Sequence, residues 1–507
     1  MAQSILPFQY EKEENSVGIT GLAGLPLYLD MMHVSRLRQV IEHQLRANGP
    51  RQGWTSTQHI LSVILLNLAG GDCVDDLEVL NNDSGFGDVL QQAEVYRLGR
   101  RKRRVLQRRW RKERMRSVPS PSALRRFLTL FHDARQEQQR QIGKAFIPTP
   151  TNMLRRLGNI NTEFVSFAHS HQPDVTTATL DMDATLVESH KNESLFCYKH
   201  FKSYQPLNTW WAEMGMVLHT EFRDGNVPAG YEQLRVFQES LSCLPSRIEK
   251  VFLRSDTAGY QWDLLRYCAE GKNKKYGKIE FAVGCDVSAQ FKKAVGEVPE
   301  DEWQVLYRTV DGRRRDTGQQ WAEVCFVPSG SGFSKKGPTY RFLAIREPLR
   351  QLELPGLEVP ELPFPVMSFG SQRYKLFGIV TNRTVPGDEL IWWSRARCGK
   401  SEEAHAVMKD DLAGGQLPSG LFGANAAWWQ MMILALNLNA ALKRLALGGN
   451  WETKRMKALR YHLINLPARV IKHANRLWIR VAGSNQSLTV LLKARSKILA
   501  LAHGPPG

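Results

Sequence analysis

Cysteine is sparse and scattered in this chain. The 507 residues carry seven, at Cys73, Cys197, Cys243, Cys268, Cys285, Cys325 and Cys398, an odd number with no C-x-x-C pair. That pattern argues against a disulfide framework or a structural zinc site and points to a reducing cytoplasm. The first fifteen residues lack a charged start followed by an apolar run, so no secretory signal is expected. Long hydrophobic runs are missing as well. The most apolar stretch, Ala426 to Leu442, is interrupted by Gln430, Asn437 and Asn439. It is shorter than the ~20 residues a bilayer needs, so it reads as a buried helix with no membrane partner. Internal repeats and low-complexity segments are absent. Acids are in deficit: 50 Asp plus Glu stand against 68 Lys plus Arg, a net charge of +18. Such a surplus favours a polyanion, because each basic contact to a phosphate releases condensed counterions.

What is present falls into a helical start, an α/β middle and a helical, basic end. The length calls for two to four structural units. Thr57 to Ala69 carries apolar residues at helical spacing. Ser120 followed by Pro121 marks a helix start, with Leu124, Phe127, Leu128 and Phe131 inward and Arg125 and Arg126 outward. Between Tyr96 and Val118 lie twelve Lys or Arg and one acid, Glu113. We expect Arg100, Arg101, Lys102, Arg103, Arg104, Arg108 and Arg109 of this arm to contact DNA phosphates, with Trp110 placed to stack on a base or sugar. From about Asp174 strands take over: Val175 to Asp183, Trp211 to Phe222, Ile248 to Asp256 and Ile279 to Val287, with a helix over Thr257 to Glu270. Strands also dominate 288–382, with a basic turn at Arg313 to Arg315, and helix returns from Gly399 to Leu501.

Two of these strands end in acids. Asp181 and Asp183 share a face, because side chains alternate along a strand, and Asp256 ends another. Strand ends in an α/β sheet open onto a common crevice. A third acid is available on the late helix at Glu402 or Glu403. Three converging carboxylates need a cation, and an all-oxygen ligand set suits Mg²⁺ or Mn²⁺, as two ions in a phosphoryl-transfer site. Each acid taken alone has a plainer role: Asp256 before Thr257 is a helix cap, and Glu402 is one of many exposed charges. His405 on the same helix is expected to be packed or exposed, Trp428 and Trp429 to be core, and Asp72, Asp75 and Asp76 to cap a helix. Tyr198, Tyr204 and Trp210, with Lys199 and Lys202, make a loop suited to DNA ends. Gly399-Lys400-Ser401 is no phosphate-binding loop, since Ser394 stands where that motif needs glycine.

TLDMDAT (Thr179 to Thr185), LRSDTAGY (Leu253 to Tyr260) and RCGKSEEAHAVMKDDLAGGQLPS (Arg397 to Ser419) occur in that order. GGDCVDDLEVLNND near the N-terminus and NLPARVIKHANR near the C-terminus accompany them. With these the sequence resembles the DDE transposases of bacterial insertion sequences, the branch called transposase DDE domain group 1, over nearly its whole length. The resemblance implies an α/β fold with an RNase H-like catalytic core, a β-rich insertion and helical flanks. It implies Asp183 as first acid with Asp181 as fallback, Asp256 as second, and Glu402 as third with Glu403 as rival. Arg397 and Lys409 would contact DNA, Lys409 lying seven residues after Glu402. The units expected are a helical DNA-binding region at 1–170 with the arm at 97–116, core at 171–287, insertion at 288–385, core at 386–447 and a basic tail at 448–507. The partners implied are terminal inverted repeats, target DNA and at least one further copy of the chain, in the bacterial cytoplasm at the nucleoid.

Overall fold

The computed structural model describes residues 18–45, 53–96, 98–113, 116–141, 144–328, 340–349, 362–370, 372–397, 400–473, 476–482 and 485–502, side chains excepted at 107–113, 401 and 485. In chain order the elements used below begin with strand β1 (Ile19–Thr20) and helices α1 (Ser56–Ala69), α2 (Arg100–Glu113), α3 (Pro121–Thr129) and α4 (Asn152–Ser170). The central part holds β2 (Thr177–Ala184), β3 (Leu207–Trp211), β4 (Met216–Glu221), α5 (Gln233–Ser242), β5 (Lys250–Ser255), α6 (Trp262–Ala269) and β6 (Glu280–Cys285). Then come β7 (Gln304–Val310), β8 (Arg313–Val324), β9 (Arg341–Pro348), β10 (Val366–Phe369) and β11 (Gln372–Thr381). The chain continues with α7 (Gly387–Arg395), α8 (Lys400–Ala406), α9 (Phe422–Ala441), β12 (Ala468–His473), β13 (Arg476–Val481) and α10 (Asn485–Leu501).

The helix starts follow from local chemistry. Thr55 Oγ1 accepts from the Gln58 amide and Gln58 Oε1 accepts from the Thr55 amide, a capping box that opens α1. Ser120 Oγ accepts from the Ala123 amide at 3.3 Å, with Pro121 in the first turn where its missing N–H costs nothing. Asp76 accepts from the Asp72 and Cys73 amides, so the small acidic group does cap a helical turn.

Strand order defines the core. The five strands run β4-β3-β2-β5-β6, with β3 antiparallel to β2 and to β4, and β2, β5 and β6 parallel. Helix α5 lies between β4 and β5 in sequence and α6 between β5 and β6, as parallel neighbours require. This is the RNase H-like arrangement. Beyond β6 the sheet continues as β11-β9-β8-β7, all antiparallel, to ten strands in all. Helix α7 packs on this extension through Leu390 and Ile391, beside Trp321, Leu343 and Ile345. Gly387 permits the approach, since a Cβ there would lie 2.1 Å from the Trp321 ring.

Helix α9 is buried on every side, and its 20 residues run through the middle of the molecule. Two of its polar interruptions, Asn437 and Asn439, are hydrogen-bonded. Asn437 accepts from the Val217 amide and donates to the Val217 carbonyl and to Asn161 of α4, while Asn439 accepts from the Tyr28 hydroxyl. Trp428 and Trp429 are core; their indole N–H groups donate to the Ala413 carbonyl and to Thr220 Oγ1. Among the described residues no helix is long and apolar enough to cross a membrane. Within the C-terminal stretch expected to be helical, β12 and β13 pair instead, and β12 pairs with β1. The alternation in Ala468–His473 and Arg476–Val481, half-buried against exposed, is a strand period.

Two widened π-turns, Val407–Asp411 and Arg460–Ile464, meet at Asp411. Its buried carboxylate takes Arg455 at 3.2 Å, and Arg460 donates to the carbonyls of Asp411, Asn67 and Leu68. The end of α8 is thereby anchored to α1 and to the C-terminal segment.

On the outer side of the core sheet, His219 of β4 lies 3.2 Å from Glu239 of α5. Burial works against the imidazolium, but Cys243 and Glu239 outweigh it and push its pKa from 6.5 up to about 9. A histidine raised in this way stabilises the fold fully below pH 6.5, and its contribution is lost as the pH climbs through 9. Urea midpoints should therefore fall between those values, and a His219→Gln variant should show a flatter profile over the same window.

Candidate active site

Asp183 and Asp256 leave neighbouring strands at the same level. In the parallel ladder of β2 and β5, Met182 pairs with Ser255, so each following aspartate stands at a strand's C-terminal end. Asp256 Oδ1 accepts from the Ala258 amide at 3.0 Å, so the expected cap is present. It occupies one oxygen only, and Oδ2 has no hydrogen-bond partner among the described residues. Burial raises the Asp183 pKa, Asp256 and Asp181 add repulsion, and Arg397 at 3.1 Å opposes them; the result is a carboxyl pushed up to about 6. Negative charge at this spot is under-compensated by the protein alone.

Asp181 lies on the same face but is held differently. Arg254 binds it with both arms, Nε to Oδ1 at 2.6 Å and Nη2 to Oδ2 at 2.7 Å, and both side chains are buried. The third donor of Arg254, Nη1, reaches the Trp393 carbonyl of α7 at 2.8 Å. Asp181 thus joins β2 to β5 and α7, whereas Asp183 has a single ion-pair partner among the described residues, Arg397. The signal in sequence was Arg254 itself, a charge inside the apolar strand Lys250–Ser255; its partner, 73 positions away, was not readable.

Helix α8 and the turn after it cover a small cleft lined by Asp181 and Asp183. Lys400, Ala404 and Met408, four residues apart, form its helical wall together with His405, and Asn208 and Trp210 of β3 line the opposite side. His405 is half-buried in this wall, packed as expected, and borders the site. Burial, then the nearby Lys409 and Arg397 cations, hold its pKa down at about 4, so it stands as neutral imidazole at pH 7. Lys409 Nζ donates to the Leu186 carbonyl at 3.4 Å.

Glu402 and Glu403 are both exposed on α8, outside the arc that walls the cleft. Glu403 faces Lys443 electrostatically. Among the described residues no three His, Cys, Asp or Glu side chains stand close enough together to hold a metal ion. The structure brings Asp183, Asp256 and Arg397 together and leaves both glutamates at the rim. Asn208 was missed in the sequence, where its signal is a lone amide inside the apolar run LNTWW.

The basic arm is an exposed helix. Arg100, Arg101, Lys102, Arg103 and Arg104 are exposed on α2, while the side chains of Arg108, Arg109 and Trp110 lie outside the described residues. The basic turn after β7 belongs to a hairpin in which Arg308 pairs with Arg315 and Val310 with Arg313, placing three exposed arginines on one face. None of the three has an ion-pair partner among the described residues. Like charges directly opposite one another on a sheet repel, which marks this face as a seat for anions. Tyr198 is exposed, but Tyr204 is fully buried against Phe222, so the aromatic loop expected to serve DNA ends loses Tyr204 to the core.

Residues 15–327 match the family described as transposase DDE domain group 1, a span that includes both aspartates and stops short of α8. No curated protein matches the chain. A cryo-EM structure of the piggyBac transposase synaptic complex with hairpin DNA is similar with a TM-score of 0.38 and 11% identity, over 84% of this chain and 76% of that one. The fold rests on the chain's own strand order, not on a likeness so distant.

Proposed function

The chain belongs to the transposase DDE domain group 1 family, whose chemistry is metal-dependent cleavage and transfer of DNA strands, and we propose that Asp183 and Asp256 are the carboxylates on which that chemistry rests here. The observation that carries the assignment is their common level at the ends of β2 and β5, with the raised pKa of Asp183. Crowded oxygen donors without sulfur fit hard divalent cations, Mg²⁺ or Mn²⁺. Bound there, two such ions would supply Lewis-acid stabilisation of the attacking and leaving oxygens of an in-line phosphoryl transfer. Glu402 or Glu403 is the third acid of the proposal, brought to the cleft by a rearrangement of α8.

The chain's own groups do the rest. Arg397 and Lys400 make the cleft wall cationic and hold a phosphodiester against the aspartates. Lys409 binds a neighbouring phosphate once released from the Leu186 carbonyl. Helix α2 and the Arg308, Arg313 and Arg315 face add phosphate contacts that position duplex DNA without reading its sequence. The substrates are the element's terminal inverted repeats and a target duplex. Two ends must be paired, so at least two copies of the chain assemble on them.

The test is a strand-transfer assay with paired end duplexes, a target plasmid and Mg²⁺ or Mn²⁺. Ends cut and joined to target are expected. Cleavage without joined product would instead mark an RNase H-like nuclease that does not integrate, and inertness with either ion would leave a DNA-binding protein only.

A further inference from the structure

We propose that Asn208 contacts the substrate directly, its Nδ2 donating a hydrogen bond to a non-bridging oxygen of the phosphodiester seated beside Asp183. The inference rests on the function proposed above and adds to it a residue outside the acidic set.

Asp183, Asn208 and Thr220 form one row across β2, β3 and β4, since Asp183 pairs with Asn208 and Asn208 with Thr220. The row ends on Trp429 of α9. The Trp429 indole N–H donates to Thr220 Oγ1 at 3.0 Å, and Thr220 Oγ1 lies 2.7 Å from Asn208 Oδ1. An indole nitrogen can only donate, so the Thr220 hydroxyl accepts from it and keeps its own proton for Asn208 Oδ1. Asn208 thus presents its oxygen to Thr220. The amide orientation is fixed from behind by a buried tryptophan, and the nitrogen is left on the other arm.

That nitrogen has no partner among the described residues. Asn208 is 2% exposed, its Nδ2 is buried, and no acceptor among those residues reaches it. Native interiors seldom leave such a donor unpaired, and where they do a ligand or water usually completes it. Asn208 also lines the cleft, facing the wall that carries Lys400 and His405. Lys400 on that wall offers a counter-charge to an anionic oxygen lying between it and Asn208. Asp183 is its neighbour in the row yet makes no hydrogen bond to it. A phosphodiester oxygen can accept from such a donor once the cleft opens to admit it, and the hydrogen-bonded row from Trp429 fixes the amide's orientation.

Phosphorothioate duplexes with sulfur at either non-bridging position of the scissile phosphate provide the test. The wild type should cut one isomer more slowly, with a deficit that Mn²⁺ does not rescue. Asn208→Ala should lose about 10-fold or more in rate on the all-oxygen duplex and should lose that isomer preference, the size expected for a hydrogen bond to a charged acceptor. Asn208→Asp keeps the shape and the Thr220 bond but swaps the donor for a negative oxygen, so it should fall further. Retention of the wild-type isomer preference by a folded Asn208→Ala would overturn the assignment. Binding of an end duplex in metal-free buffer gives a second readout that needs no turnover. There the Asp variant should bind more weakly than wild type; equal affinity would end the Asn208 proposal, even if the wild type proved unable to cut DNA and the transposase reading had failed on its own.

Discussion

Asp183→Asn should leave the chain folded while lowering both DNA cleavage and strand transfer by about three orders of magnitude or more, the scale seen when a group acting on the transition state is removed. The substitution keeps the side-chain volume and removes a charge that burial, Asp256 and Asp181 already make unwelcome. In metal-free buffer the melting temperature should therefore change little, the lost Arg397 contact being offset by relief of repulsion. The rise in melting temperature that a divalent ion confers on the wild type, by binding the folded state alone, should disappear. Asp256→Asn should behave alike. Full cleavage by either variant would refute the metal-site assignment.

The neighbouring aspartate should respond in the opposite way. Asp181→Ala strands Arg254, a buried guanidinium whose two strongest hydrogen bonds go to that carboxylate. Breaking a buried pair on one side costs about 3–5 kcal/mol, because the remaining charge is left uncompensated. Urea denaturation should show that loss as a lower midpoint. The double variant Asp181→Ala with Arg254→Met should recover part of it, and the difference across the cycle measures the coupling. A midpoint unchanged by Asp181→Ala would mean that this aspartate is not structural, and would return it to candidacy as the first acid.

This contrast marks where sequence runs out. An acid at the end of an apolar strand is visible in Thr177–Ala184 and Lys250–Ser255, and the period of a strand shows that Asp181 and Asp183 share a face. It does not show which one meets an arginine from another strand, because that depends on the register of β2 against β5. Local chemistry was legible for the same reason that it is local: the Thr55–Gln58 box and the Ser120–Pro121 start involve neighbours in the chain. Tyr204 was misplaced because its surroundings, Phe222, Phe422 and Asn425, come from other segments. The strands at Ala468–His473 and Arg476–Val481 were hidden by their basic residues, and β12 completes its pairing only with Ile19–Thr20, far back in the chain. The third acid was ambiguous because α8 is only seven residues long, too short for its inward face to be settled by periodicity.

The π-turn at Val407–Asp411 gives that short helix an unusual freedom. A π-turn holds one residue more than an α-turn, and each helical residue advances the azimuth by about 100°. Moving that surplus residue along the chain rolls Lys400–Ala406 about its own axis by the same step, with Asp411 pinned by Arg455 and acting as the bearing. Under the assignment proposed above, such a roll is the movement by which α8 would carry Glu402 or Glu403 toward the aspartates.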